Sequence, residues 1–298
     1  MQSSLPPRHL LLALAVVAIW GSNFVVIRIA LDALPPLLFA ALRFALALLP
    51  AVLFVPRPAA SWRNLAAYGV LIGVGQFGLL YLAMRSQISP GLASLVIQTQ
   101  VFFTIFMAMS LTGERLRRMQ WLALVLAACG IAVIAAHAGG STTLGGLMLT
   151  LVAAFSWAAG NTVSRRAGQV NMLGYVVWSS AFAVPPLFAL AWMFEGRDVI
   201  VAGLQAADAT TWAAVLWQSV GNTLFGYAAW GWLLARHPAA TVAPIALLVP
   251  VFGMTASAAW LGEPLPAWKL AAAALVIGGL ALNLFGPRLL ARAAMLRS

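Results

Sequence analysis

Acidic side chains are almost missing from this chain: its 298 residues carry six Asp and Glu, three histidines and one cysteine. An enzyme working inside a membrane needs a nucleophile and base, or metal ligands, converging at depth. This inventory leaves no such set, because His9, His137 and His237 fall near the ends of apolar runs and no carboxylate falls in the middle of one. The single Cys129 has no partner for an intrachain disulfide and is expected as a packed core thiol. No Gly-Lys-Ser or Gly-Lys-Thr phosphate loop occurs, so the chain is not itself an ATP-driven pump. No catalytic residue, cofactor or metal site is therefore expected.

Charge of either sign is scarce as well. Only 8% of residues are charged while 63% are hydrophobic, and the mean hydropathy is +0.97. A water-soluble globule cannot hide that much apolar surface, which places the chain in a bilayer. A helix needs about 20 apolar residues to cross. Ten stretches qualify, at about 10–29, 35–55, 64–84, 91–112, 119–137, 144–164, 172–194, 211–234, 240–261 and 267–286. The expected fold is an all-α polytopic membrane protein of ten transmembrane helices. The first stretch begins like a secretory signal, with Arg8 ahead of an apolar run, but Trp20-Gly21-Ser22-Asn23-Phe24 continues without a small-residue cleavage site, so it is kept as helix 1.

The net charge of +11 would suit a nucleic-acid partner in a soluble protein, but here its distribution matters more. With the N-terminus in the cytoplasm, the inner side receives twelve arginines, among them Arg8, Arg57, Arg63, Arg117, Arg118, Arg165 and Arg236. The outer side and its margins receive Arg28, Arg85, Arg197 and Lys269. That bias is the positive-inside pattern, which predicts both termini in the cytoplasm and makes a nucleic-acid partner unnecessary.

The chain is written twice. Thr112-Gly113-Glu114-Arg115-Leu116 returns 149 residues later as Leu261-Gly262-Glu263-Pro264-Leu265, and the same register pairs Phe103 with Phe252, Ala123 with Ala272 and Gly130 with Gly279. Trp20-Gly21-Ser22-Asn23, up to Arg28, matches Trp157 to Asn161, up to Arg165. Five spans per copy make the second copy enter from the opposite side, so the repeats are inverted. Inverted repeats give inward-open and outward-open states of similar energy, with cargo held between the copies.

Polar groups at membrane depth each need a partner or a task. Gln76 and Asn222 each follow a glycine near the middle of helices 3 and 8, and could line one central cavity with Asn23 and Asn161. Gln98 and Gln100 lie about 200° apart on an α-helix, so at most one of them is expected to face that cavity. Arg43 has no acidic residue at its depth; it either binds the carboxylate of an amino-acid cargo, or holds backbone carbonyls at a helix break or reaches a headgroup region. Trp20, Trp157, Trp178, Tyr81, Tyr227 and Trp230 lie deep enough to wall a pocket, whereas Trp62, Trp192, Trp212 and Trp268 sit where interfacial anchors belong. Pro244 and Pro250 should bend helix 9 beside the cavity. Gly69, Gly73, Gly278 and Gly279 point to close helix contacts. The candidate cavity set is Trp20, Asn23, Arg43, Gln76, Tyr81, Gln98, Gln100, Trp157, Asn161, Asn222, Tyr227 and Pro250, drawn mainly from helices 1, 3, 4, 6, 8 and 9.

Trp20-Gly21-Ser22-Asn23-Phe24, Leu42-Arg43-Phe44 and Gly113-Glu114-Arg115-Leu116 resemble motifs of the drug/metabolite transporter superfamily, in its EamA-type members. Gly91-Leu92-Ala93-Ser94-Leu95-Val96, Phe102-Phe103-Thr104-Ile105 and Val242-Ala243-Pro244 look closest to its bacterial O-acetylserine/cysteine exporters. The resemblance implies two repeats, residues 1–140 and 141–298, in the bacterial inner membrane. It implies a secondary exporter of small amino acids and derivatives, with export of aromatic or larger amino acids as the alternative. The partners it implies are a small zwitterionic molecule and membrane lipid; the monomer and the homodimer both stay open. Arg85 stands where the cysteine exporters would have a small polar residue.

Overall fold

The computed structural model describes residues 5–112, 118–140 and 142–295. Glu114 and its neighbours Gly113, Arg115, Leu116 and Arg117 lie outside them, so Glu263 is the member of that matched pair whose surroundings can be described.

Among the described residues ten long helical segments follow one another: α1 (Pro7–Ala33), α2 (Pro36–Leu53), α3 (Trp62–Ser86), α4 (90–112), α5 (Arg118–Ala136), α6 (Leu144–Arg166), α7 (Met172–Glu195), α8 (Ala209–Arg236), α9 (239–261) and α10 (Ala267–Met295). Nine contain a window apolar enough to cross a membrane on its own; α8 qualifies together with the short helix Arg197–Ala206, which meets it at 103°. Local chemistry marks the boundaries. Pro7, Pro36 and Pro90 open their helices where a missing N–H costs nothing. Ser61, Thr143, Asn171 and Asp208 accept hydrogen bonds from first-turn N–H groups of α3, α6, α7 and α8. Gly262, at φ +64°, ends α9 in a conformation that favours glycine.

The two copies interleave. Helix α1 packs on α9 and its counterpart α6 on α4, while α2 meets α7, α4 meets α9 and α5 meets α10. The crossing of α5 and α10 displays the pseudo-two-fold axis in atomic detail. A Cβ on Gly130 would meet Val276 and the Ala272 carbonyl, and one on Gly279 would lie 2.6 Å from the Ala123 carbonyl. Swapping the copies at the 149-residue spacing turns one contact into the other. Gly278, expected at a close contact, faces open space. Cys129 is exposed rather than packed, because α5 sits at the margin and buries one face only. Lipid-facing and core-facing positions are both apolar here, so hydropathy does not separate them.

The helices around the centre are not regular. Leu71–Gly78 in α3 and Trp217–Phe225 in α8 are wound as π-helix, and Ile97–Thr99 in α4 and Ala243–Leu248 in α9 as 3₁₀. Each pair occupies matching places in the two copies. The α9 stretch is three residues longer than that of α4, and the spacing between copies grows across it, from 146 for Leu71 and Trp217 to 149 for Phe103 and Phe252. Hydroxyls satisfy backbone groups where the winding changes. The Ser156 hydroxyl donates to the Leu71 carbonyl at 2.9 Å, and Thr223 donates to the Gln218 carbonyl at 2.8 Å. The irregular turn of α9 runs from Pro244 to the first turn after Leu248, where Pro250 removes a second donor.

Candidate functional site

A cavity of about 510 Å³ lies between the copies. Four amides of the first copy, Asn23, Gln76, Gln98 and Gln100, line it. Asn161, Asn222 and Asn283 line it from the second. Its aromatic wall comprises Trp20, Trp157, Trp230, Tyr68, Tyr227, Phe24 and Phe77. Among the described residues no Asp, Glu, Lys, Arg or His lines it. A site that offers many amide donors and acceptors but no net charge can hold both ends of a zwitterion without selecting a net charge.

Helix winding decides which side chains reach this space. In α3 the π stretch carries Gln76, and in α8 it carries Asn222, whose carbonyl accepts from the Trp20 indole at 3.2 Å. Gly226 lets the N–H edge of that indole approach α8, since a Cβ there would meet its nitrogen. Both Gln98 and Gln100 line the cavity, a correction to the expectation of one. The 3₁₀ turn between them advances about 120° per residue, which brings the two side chains about 120° apart instead of about 160° the short way round an α-helix. Asn161 donates to the Gln100 carbonyl at 3.0 Å across the copies, fixing both amides.

Nine of the twelve candidate residues line the cavity, and Arg43, Tyr81 and Pro250 do not. Arg43 is 1% exposed. Its Nη1 donates to Tyr81 at 2.9 Å and its Nη2 to Thr223 at 3.0 Å, and its guanidinium lies 3.6 Å from the centre of the Phe77 ring, which stands between it and the cavity. Tyr81 is fully buried and donates to Gln218 at 3.1 Å. Pro250 is buried behind the cavity-lining Val249. Trp178 lies at the far end of α2, donating to the Val55 carbonyl at 3.0 Å. Conversely, Asn283, Leu280 and Leu284 bring α10 into the lining, and Met172 brings in the start of α7. Asn283 is a polar residue within the tenth apolar stretch, so its signal was present in the sequence.

The cavity reaches one face of the bundle. Its outermost lining residues, Leu234, Met172, Ala243 and Leu284, lie toward the face where α1 begins and α8 ends. Among the described residues no turn at the opposite face contributes. There the copies are tied together. Glu195, at the end of α7, accepts from the N–H groups of Leu37 and Leu38 at 2.6 and 3.0 Å and so caps α2. Glu263 accepts from the Gly91 N–H at 2.9 Å, from Lys269 at 2.8 Å, and from the Ser89 and Ser257 hydroxyls, and so caps α4. Burial pushes the Glu263 carboxyl up, but the Lys269 ammonium and these hydrogen bonds outweigh it and hold the carboxyl below its ordinary range. Arg85 donates to the Leu34 carbonyl at 3.0 Å, closing the end of α1 on the same face.

Fold and cavity together define a multi-pass membrane protein with a largely apolar chamber, set with amide side chains, between inverted copies. The model of the EamA-like transporter family matches residues 8–136 and again 144–285, and the chain belongs to that family. It is 42% identical over 283 residues to the "Probable amino-acid metabolite efflux pump" of Salmonella typhimurium, covering 93% of this chain and 95% of that one. The protein of the same name in Escherichia coli K12 is 38% identical over the same shares. The "Probable terminal-alkyne amino-acid exporter" of Streptantibioticus cattleyicolor is 27% identical, covering 89% and 90%. A solved structure described only as "Crystal structure of protein" aligns at a TM-score of 0.60 and 19% identity, covering 92% of this chain and 96% of its own, and shares the fold.

Proposed function

We propose that this protein is a secondary exporter that moves zwitterionic amino acids and their derivatives out of the bacterial cytoplasm by alternating access. The observation that carries this reading is the charge-free, amide-lined cavity at the junction of two inverted copies. The names of the relatives in Salmonella and Escherichia point the same way. The protein sits in the inner membrane with both termini cytoplasmic, so the cavity opens inward and the ties at Glu195 and Glu263 close its outer end. The cargo in the narrower form of this reading is cysteine or O-acetylserine.

Export of aromatic or larger amino acids is the second reading. Three indoles wall a cavity whose 510 Å³ falls well inside the range of about 300–1,000 Å³ that suits drug-sized ligands. Efflux from proteoliposomes, with cysteine or O-acetylserine as tracer and aromatic amino acids as competitors, decides between them. Saturable efflux of those tracers supports the narrower cargo. Failure of those tracers to show saturable efflux, together with saturable efflux of a phenylalanine tracer that cysteine and O-acetylserine do not inhibit, supports the second. Absence of saturable flux for any amino acid contradicts both.

A further inference from the structure

Arg43 is a buried cation with no carboxylate beside it, and it does not line the cavity; yet a chain of side chains joins it to one that does. Its Nη1 donates to the Tyr81 oxygen, Tyr81 donates to the Gln218 Oε1, and the Gln218 Nε2 donates to the Asn23 Oδ1 at 2.5 Å. The direction of this chain is fixed at its origin. A guanidinium can only donate, so the Tyr81 oxygen must accept from it and turn its single hydrogen onward. Gln218 then has its carbonyl occupied and presents its amide hydrogens to Asn23. Asn23 in turn has its carbonyl occupied, and its Nδ2 is what it offers to the cavity it lines.

We propose that Arg43, through Tyr81 and Gln218, holds Asn23 as an obligate hydrogen-bond donor that binds the carboxylate of the cargo. This rests on the amino-acid reading above and deepens it. Arg43, Tyr81 and Gln218 are positioning residues: they never touch cargo. Each bond in the chain polarises the next, so the positive end of the relay is expressed at Asn23 even though the Phe77 ring covers the guanidinium. The far end of the cargo meets the opposite polarity. Gln76 is 3% exposed and lines the same cavity, and its Oε1 is the one buried side-chain nitrogen or oxygen among the described residues with no hydrogen-bond partner. Asn161 spends its Nδ2 on Gln100, which leaves its Oδ1 as acceptor. An ammonium group needs such acceptors. The cavity is thus polarised without containing a charge.

The test compares an amino acid with its own α-carboxamide as competitors of tracer exchange in proteoliposomes, using whichever of cysteine, O-acetylserine and phenylalanine the wild type exchanges fastest. The wild type should favour the amino acid by about tenfold or more, the value of one hydrogen bond to a charged group. Tyr81→Phe cuts the relay without adding volume, and Gln218→Glu removes the donor to Asn23; each should bring the ratio close to one, and Asn23→Asp should invert it. A role confined to stability would lower exchange of both competitors and leave their ratio alone. Folded variants that exchange tracer with the wild-type ratio overturn the relay, and where Tyr81→Phe does not fold, Gln218→Glu tests the same chain of bonds one link further on. A wild type that exchanges no carboxylate-bearing compound overturns the cargo reading and the relay together, whereas an unmoved ratio overturns the relay alone.

Discussion

Helices α3 and α8 are the same device used for two purposes. Each has a π-wound middle, and in each the sequence runs Val-Gly-amide followed by a tyrosine five residues after the amide: Gln76 with Tyr81, and Asn222 with Tyr227. Both amides line the cavity, but the tyrosines part company. Tyr227 stays in the cavity wall, while Tyr81 is buried between Arg43 and Gln218. The reason lies on the neighbouring helix. At the 137-residue spacing that pairs Trp20 with Trp157, Arg43 of α2 corresponds to Ser180 of α7, whose hydroxyl merely donates to the Val176 carbonyl in its own helix. Duplication supplied a pseudo-symmetric frame; divergence at Arg43 and Ser180 gives the two matched tyrosines different surroundings.

Matched substitutions in the two copies should therefore hurt equally where the copies agree and unequally where they differ. The largest contrast is expected between Arg43→Met and Ser180→Ala. The first strands the buried oxygens of Tyr81 and Thr223 at about 1–3 kcal/mol each, and the second stays within about 0.5 kcal/mol. Thermal unfolding in detergent checks both. Gly130→Val and Gly279→Val should cost a similar amount, about 1–3 kcal/mol apiece, since each presses a side chain onto the partner helix backbone, and Gly278→Ala should cost nothing measurable. Tyr81→Phe should cost about 1–2 kcal/mol by orphaning the Gln218 carbonyl, with Tyr227→Phe costing less, in the same assay.

The smallest effect concerns pH. The folded-state carboxyl of Glu263 is held below its ordinary 4.5, so its stabilisation is present above that value and disappears as pH falls through the folded one. The difference in unfolding temperature between the wild type and Glu263→Gln should stay flat from about pH 8 to 5 and shrink only below that range. A difference that shrinks between pH 8 and 6 would mean the carboxyl titrates near neutrality.

The spans are legible in the sequence, because a bilayer demands about 20 apolar residues per crossing and the connections are short. So are the amides, because a polar group at depth stands out against Leu, Val and Ala. What lies beyond reach is anything set by a partner far along the chain. Glu195 reads as the end of a loop until the α2 amides of Leu37 and Leu38 arrive beside it. The environment of Arg43 depends on Thr223, 180 residues away. Local winding is equally hidden: the 3₁₀ turn at Ile97–Thr99 has no proline to announce it, and it alone brings Gln98 and Gln100 into one chamber. Exposure of Cys129 cannot be read because lipid and core ask for the same side chains.

One chamber between inverted copies, open in this conformation at the face where the chain begins, is the feature on which the proposed cargo binding and export both depend. Leu234 lines that mouth, so Leu234→Cys in a Cys129→Ala background can be labelled with a membrane-impermeant thiol reagent applied from either side of oriented vesicles. In the absence of cargo, modification is predicted from the side bearing the N-terminus, with protection by saturating amino-acid cargo. Modification from the opposite side alone, or a labelling rate that cargo leaves unchanged, would contradict a cargo chamber that opens there.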